Sequence, residues 1–204
     1  MFDPMIRNSL KPYWVATVAL MAGLMAPGTA EAHIIPIHGG GFVNGFAHPF
    51  SGIDHLLVML SVGLLAYRWD GKNIWLLPLG FVAVAGIGLM IGMHFPGMPG
   101  MEAGIAASLV AVGILTTLEI RPRAYAGTLG VIAFAFFHGH VHGSAMPAEA
   151  AASLYAMGFL SATLCLHAIG ISIGWLVNSR PVLLRLAGAG TALTGLWFIA
   201  LTAI

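Results

Sequence analysis

The sequence predicts an all-α protein, a polytopic membrane bundle of six transmembrane helices behind a cleaved signal peptide. Three observations carry this. Of 204 residues, 59% are hydrophobic and only 7% charged, whereas a soluble domain carries about 25% charged residues. Beyond residue 47 the chain divides into six apolar runs, each near the ~20 residues that a membrane-crossing helix needs. Every basic residue past residue 47 falls in or beside alternate connectors between those runs. The net charge of +1 offers no surface for nucleic acid, and the single cysteine, Cys165, rules out an internal disulfide or a multi-cysteine metal cluster.

Taken in order, residues 1–32 read as a secretory signal. Arg7 and Lys11 form its basic region, Trp14–Met25 its short apolar core, and Ala30-Glu31-Ala32 a small-x-small cleavage pattern. That core is too short to span before Pro27 and Gly28 interrupt it. The mature chain, residues 33–204, then begins at His33 and passes through Gly39-Gly40-Gly41, a stretch expected to form no element of its own.

The six runs are 48–67, 74–94, 101–119, 124–142, 153–177 and 182–204. None alternates polar and apolar residues as a barrel strand does, so all six are expected to be helices. Short connectors suggest that consecutive helices are antiparallel neighbours. Arg68 and Lys72, Arg121 and Arg123, and Arg180 and Arg185 mark three connectors, while 95–100 and 143–152 hold no Lys or Arg. The positive-inside rule puts the marked connectors in the cytoplasm and both mature termini outside. Gly88 with Gly92 and Gly170 with Gly174 have the spacing that lets helix backbones approach closely.

Against this apolar background stands His48-Pro49-Phe50-Ser51-Gly52-Ile53-Asp54-His55. A charged side chain at a helix centre costs about 2.5–3.5 kcal/mol on insertion scales, so such residues face a polar interior and mark a site. In the expected topology nearly all unusual residues collect on the outer side. His48, Asp54 and His55 begin the first run, His94 ends the second, Glu102 begins the third, His138, His140 and His142 end the fourth, and Glu149 follows. His33 and His38 precede the bundle, and His167 alone lies deep. Imidazole donors suit late transition metals rather than magnesium or calcium. On a straight helix His48 and His55 are about 10 Å apart along the axis, too far to share one ion unless Pro49 and Gly52 distort the turn. His138 and His142 share a face, whereas His140 projects about 200° away. His48, Asp54, His55, His138 and His142 are therefore the candidate ligands. His33, His38, His94, Glu102, His140, Glu149 and His167 are secondary ones, with helix-start carboxylates an ordinary alternative for both glutamates.

The stretch HPFSGIDHLLVMLSVGLLA, His48–Ala66, resembles the HupE/UreJ family of nickel permeases. That family carries His-Pro-x-x-Gly-x-Asp-His followed by a Val-Gly pair, matched by Val62-Gly63. Its Phe-His-Gly-x-Ala-His-Gly-x-Glu motif is similar to Phe137–Ala145, with Val141 in place of the family's Ala and Ala145 in place of its Glu. The resemblance implies a multi-pass protein of the bacterial inner membrane that transports Ni²⁺ or Co²⁺ for hydrogenase or urease maturation. The ion would be cargo rather than a permanent cofactor.

Two rivals stay open on the residues alone. A membrane metalloenzyme would want a signature such as His-Glu-x-x-His, which this sequence lacks. A haem carrier would want paired histidines deep in facing helices rather than a cluster at one surface. A metal-binding accessory protein without transport is the nearest alternative.

Overall fold

The computed structural model describes residues 40–69, 73–121 and 126–202. The expected signal segment and its cleavage site, with His33, His38, Lys72 and Arg123, lie outside the described residues. Within them the chain forms α1 (Gly41–Ala47), a 3-10 turn (His48–Phe50), α2 (Ile53–Trp69), α3 (Leu76–His94), α4 (Met101–Thr117), α5 (Ala126–Ser144), α6 (Ala152–Leu176) and α7 (Pro181–Thr202). Helices α2–α7 fall on the six apolar runs. Three of them, α3, α6 and α7, are long and apolar enough to cross a membrane unaided, and α1 with α2 makes a fourth span if the two are one broken element. At 17 residues α4 is apolar but shorter. The histidines near the end of α5 dilute its apolar character. The molecule is a multi-pass, all-helical membrane protein. Exposed Leu79, Ile87, Leu129, Met157, Trp175 and Trp197 provide the apolar exterior that lipid requires.

Three expectations change. The run 48–67 is not one helix: α2 starts at Ile53, and the preceding helical segment meets it at 82°. Pro49 has no N–H to donate, and the Ser51 hydroxyl donates to the His48 carbonyl (2.6 Å), ending the turn. Nor is the glycine-rich segment formless, because Gly41 opens α1. Gly41 and Gly45 are buried against α6, where a Cβ at Gly45 would strike the Tyr155 carbonyl and one at Gly158 the Phe42 carbonyl. These glycines serve close approach rather than flexibility.

The third change concerns neighbours. The most extensive packing joins α3 to α5, α4 to α7 and α2 to α6, none of them consecutive. Short connectors fix the direction of successive helices, but matched backbone grooves decide which faces meet. Between α2 and α6, a Cβ at Gly63 would meet the His167 carbonyl and one at Gly174 the Tyr67 side chain. Between α3 and α5, Gly88 and Gly92 lie against Phe136 and His140, and Gly139 and Gly143 against Ala85 and Leu89. The residue numbers rise together in both pairs, so each runs parallel. In α4 and α7, Gly113 and Gly188 touch at one end and Gly195 meets Ala106 at the other, so that pair is antiparallel.

At the end of α2 opposite His55, Arg68 Nη2 (2.7 Å) and Arg185 Nε (3.0 Å) both donate to Glu119. This joins the ends of α2, α4 and α7. Glu119 holds a left-handed backbone (φ 54°), which closes α4. A cleft of about 460 Å³ opens here, lined by Arg68, Trp69, Glu119, Arg121 and Asn178. Hydrogen bonds from Arg185 and then Arg68 hold the Glu119 carboxyl below the ordinary glutamate value.

Two measurements of thermal unfolding in detergent check this account. Gly139→Ala drives a Cβ into the fixed Ala85 carbonyl and should lower stability by roughly 1–3 kcal/mol. Gly130→Ala on the same helix meets nothing within 4 Å and should leave stability unchanged or raise it by up to about 1 kcal/mol. The second measurement follows pH. A depressed folded value means the Glu119 contribution is present above the ordinary glutamate range and lost as pH falls through the lower one. The difference in Tm between wild type and Glu119→Gln should therefore be open at pH 7 and close as pH falls below about 4.

Candidate functional site

The 82° break decides where the histidines meet. It carries His48 off the axis of α2 and back toward α5. His48 on the turn, Asp54 and His55 in the first turn of α2, and His138 and His142 on one stripe of α5 then lie side by side within the bundle. Ring centroids run His48 to His142 at 4.7 Å, His142 to His55 at 4.1 Å and His55 to His138 at 5.0 Å, each pair packed edge to face. The four imidazoles form a row. Only the first member reaches the surface: His48 is partly exposed, while His142, His55 and His138 are buried at 2%, 7% and 0% accessible.

Hydrogen bonds set the tautomer of two rings. The Ser108 hydroxyl donates to the Ile105 carbonyl (2.6 Å), so its oxygen accepts from His138 Nε2–H (2.8 Å). The lone pair of His138 is then at Nδ1. Asp54 Oδ1 accepts from His55 Nδ1–H (3.0 Å), leaving the lone pair of His55 at Nε2. A ring that gives one N–H to a fixed acceptor and presents the other nitrogen bare has the arrangement of a metal-ligating histidine, and carboxylate–histidine pairs are a common form of it. Among the described residues His55 Nε2, His138 Nδ1 and both nitrogens of His142 are buried with no hydrogen-bond partner. Leaving such a group unsatisfied costs about 1–3 kcal/mol. Packing alone gives no reason to accumulate four of them.

Local backbone holds the pair in place. Asp54 sits in the first turn of α2, where the helix dipole favours a carboxylate. A Cβ at Gly52 would come 2.6 Å from Asp54 Oδ1 and 3.1 Å from His55 Nδ1, so this position must be bare. The Tyr155 hydroxyl of α6 donates to the His142 carbonyl (3.1 Å), and the Phe159 ring lies 4.6 Å from the His142 ring, bracing the end of α5. As the side chains stand, no three His, Cys, Asp or Glu residues among those described are arranged to hold one ion. The rings touch but their bare nitrogens do not converge, so shared coordination requires ring rotation.

The secondary candidates separate. His140 faces α3, where its Nε2–H donates to the Phe95 carbonyl (3.1 Å). His94 is bonded to its own helix, Nδ1–H to the Met90 carbonyl (2.8 Å). Glu102 and Glu149 are exposed, and no hydrogen bond, ion pair or ring contact joins either to the row among the described residues. His167 is fully buried on α6 and apart from the row, its ring against Phe81 (5.1 Å). Sequence reasoning did not find Ser108 or Tyr155. Ser108 interrupts an apolar run, but a helical serine usually bonds back to its own helix. Its second bond, to an imidazole thirty residues on, has no local signature.

Comparison with known proteins agrees with the motif. The chain is 37% identical over 177 residues to "Protein HupE" of Rhizobium leguminosarum bv. viciae, covering 86% of this chain and 92% of that protein. No solved structure matches. The sequence profile described as "HupE / UreJ protein" matches residues 19–198, which contain the histidine row and all seven helices but for the end of α7. The chain belongs to the HupE/UreJ family.

Proposed function

We propose that this protein is a secondary permease that takes up a divalent transition-metal cation, Ni²⁺ or Co²⁺, from the outer side of a bacterial inner membrane. It supplies hydrogenase or urease maturation and is a carrier rather than an enzyme. The observation that carries this reading is the row of four imidazoles, one partly exposed and three buried, with bare nitrogens on rings oriented by Asp54 and Ser108. Imidazole nitrogens select late transition metals. The single carboxylate supplies the negative charge that a divalent cation needs at membrane depth.

In this reading α2–α7 are six spans, the α5 stripe and the broken first span form the outer site, and the Arg68–Glu119–Arg185 end faces the cytoplasm. Residues 1–32 are a signal peptide and both mature termini are periplasmic. His48, partly exposed, meets the ion first. Rotation of the His142 ring, which no hydrogen bond holds, then passes the ion to His55 Nε2 and His138 Nδ1, whose rings Asp54 and Ser108 orient. Touching rings whose nitrogens are not locked together suit a carrier, because an ion held too tightly is not released. The membrane potential contributes about 2.3 kcal/mol per charge per 100 mV, hence roughly 4.6 for a divalent ion.

Initial uptake of radiolabelled Ni²⁺ into cells, normalised to membrane protein level and competed with Co²⁺, Zn²⁺ and Mg²⁺, tests the reading. His55→Ala, His138→Ala, His142→Ala and Asp54→Asn should each abolish uptake while the protein remains inserted. Ser108→Ala should weaken apparent affinity about 10–100-fold. His140→Ala should keep uptake per inserted molecule but lose thermal stability, because it frees the Phe95 carbonyl. Normal uptake by Asp54→Asn would sink the proposal.

Processing is checked by intact mass. Membrane-extracted protein should begin at His33, whose amine and imidazole together can chelate an ion. A species retaining Met1–Ala32 would remove both the signal peptide and that chelate.

A further inference from the structure

The row ends at His138, yet one more imidazole lies beyond it that the outer site does not use. His167 is 0% accessible, and both its ring nitrogens are buried without a partner among the described residues. Its position is fixed from two sides. The backbone of α6 touches α2 at this residue, where a Cβ on Gly63 would collide with the His167 carbonyl. The ring itself lies edge-on to Phe81 of α3 (5.1 Å). One turn earlier, the Thr163 hydroxyl is buried but donates to the Phe159 carbonyl (2.9 Å), so it is committed to its own helix. A neutral Leu or Phe would fill this space without stranding polar atoms, and two stranded nitrogens carry a cost of about 1–3 kcal/mol each.

His138 faces the same region. The Phe81 ring that supports His167 also lies 6.0 Å from the His138 ring, so one aromatic side chain borders both imidazoles. With Nε2 of His138 occupied by Ser108, its bare nitrogen is Nδ1. The bundle therefore holds two unsatisfied imidazoles, on α5 and α6, at a level deeper than the His48–His142–His55 contacts.

We infer that His138 and His167 form a second, inner station for the same divalent transition-metal cation, to which the outer row hands its ion. This rests on the permease reading above. Two protein nitrogens, completed by water carried with the ion, make a weaker site than the outer row. Successive sites of this kind let an ion enter without being trapped. His138 belongs to both stations and is the point of transfer.

The test is calorimetric titration of the purified full chain in detergent with Ni²⁺ at neutral pH, paired with thermal unfolding. Wild type should bind a tighter and a weaker equivalent. His167→Leu should lose the weaker one, keep the tighter one, and unfold at the same or a higher temperature, since it removes two stranded nitrogens. His142→Ala should do the reverse and lose the tighter equivalent. If His167→Leu does not insert, His167→Gln must show the same selective loss. A wild type with one equivalent that His167→Leu leaves untouched would overturn the inner station while sparing the permease. So would retention of both equivalents in either His167 variant, or a lowered unfolding temperature with both retained. A wild type that binds no Ni²⁺ would overturn both.

Discussion

The interruption between Phe50 and Ile53 is the constraint on which the site depends. In a regular helix His48 and His55 are separated by about 10 Å of axial rise and belong to different levels of the bundle. The break turns the His48 segment through 82°, so that His48 and His55 both reach the same ring, His142. Interrupted helices at membrane depth are tolerated where protein covers the exposed backbone groups. Here the Ser51 hydroxyl takes the His48 carbonyl, and Gly52 leaves room for the Asp54–His55 pair.

The second requirement is that α5 present its histidine stripe at the right height. Glycine contacts fix this: Gly139 and Gly143 alternate with the ligand candidates His138 and His142 and press α5 onto α3. The same few residues thus carry two patterns offset by one position. The histidines face the row, and the glycines face the neighbouring backbone. His140, on the glycine side, is accordingly spent on the Phe95 carbonyl at the end of α3.

Much of this was legible in the sequence because it depends on local periodicity. Helices α2–α7 follow from the apolar runs, and the pairing of His138 with His142, with His140 set apart, follows from helical phase alone. That Arg68, Arg121 and Arg185 share one end was legible too, and the Glu119 contacts give it a physical form. What escaped is long-range. Pro49 and Gly52 signal a distortion but not its angle. Connector length says nothing about which non-consecutive helices share a groove, so the α2–α6 and α3–α5 pairs came from the structure. Ser108 was hidden for the same reason, because its partner lies on another helix. Glu102 and Glu149 carry the same charge as Asp54, but nothing in the chain between them reveals that only Asp54 reaches a ring.

Helix α6 lies along both arms of the broken element. Tyr155 and Gly158 contact α1, while His167, Gly170 and Gly174 contact α2. It therefore works as a splint across a fracture. An unsupported bend of this kind would sample many angles, and an arriving ion would have to supply the free energy of selecting one. With α6 seated on both sides, the angle is settled when the protein folds. The ordering cost is met by glycine-to-carbonyl contacts made as the helices pack, and under the permease reading what is left for capture is the turning of rings.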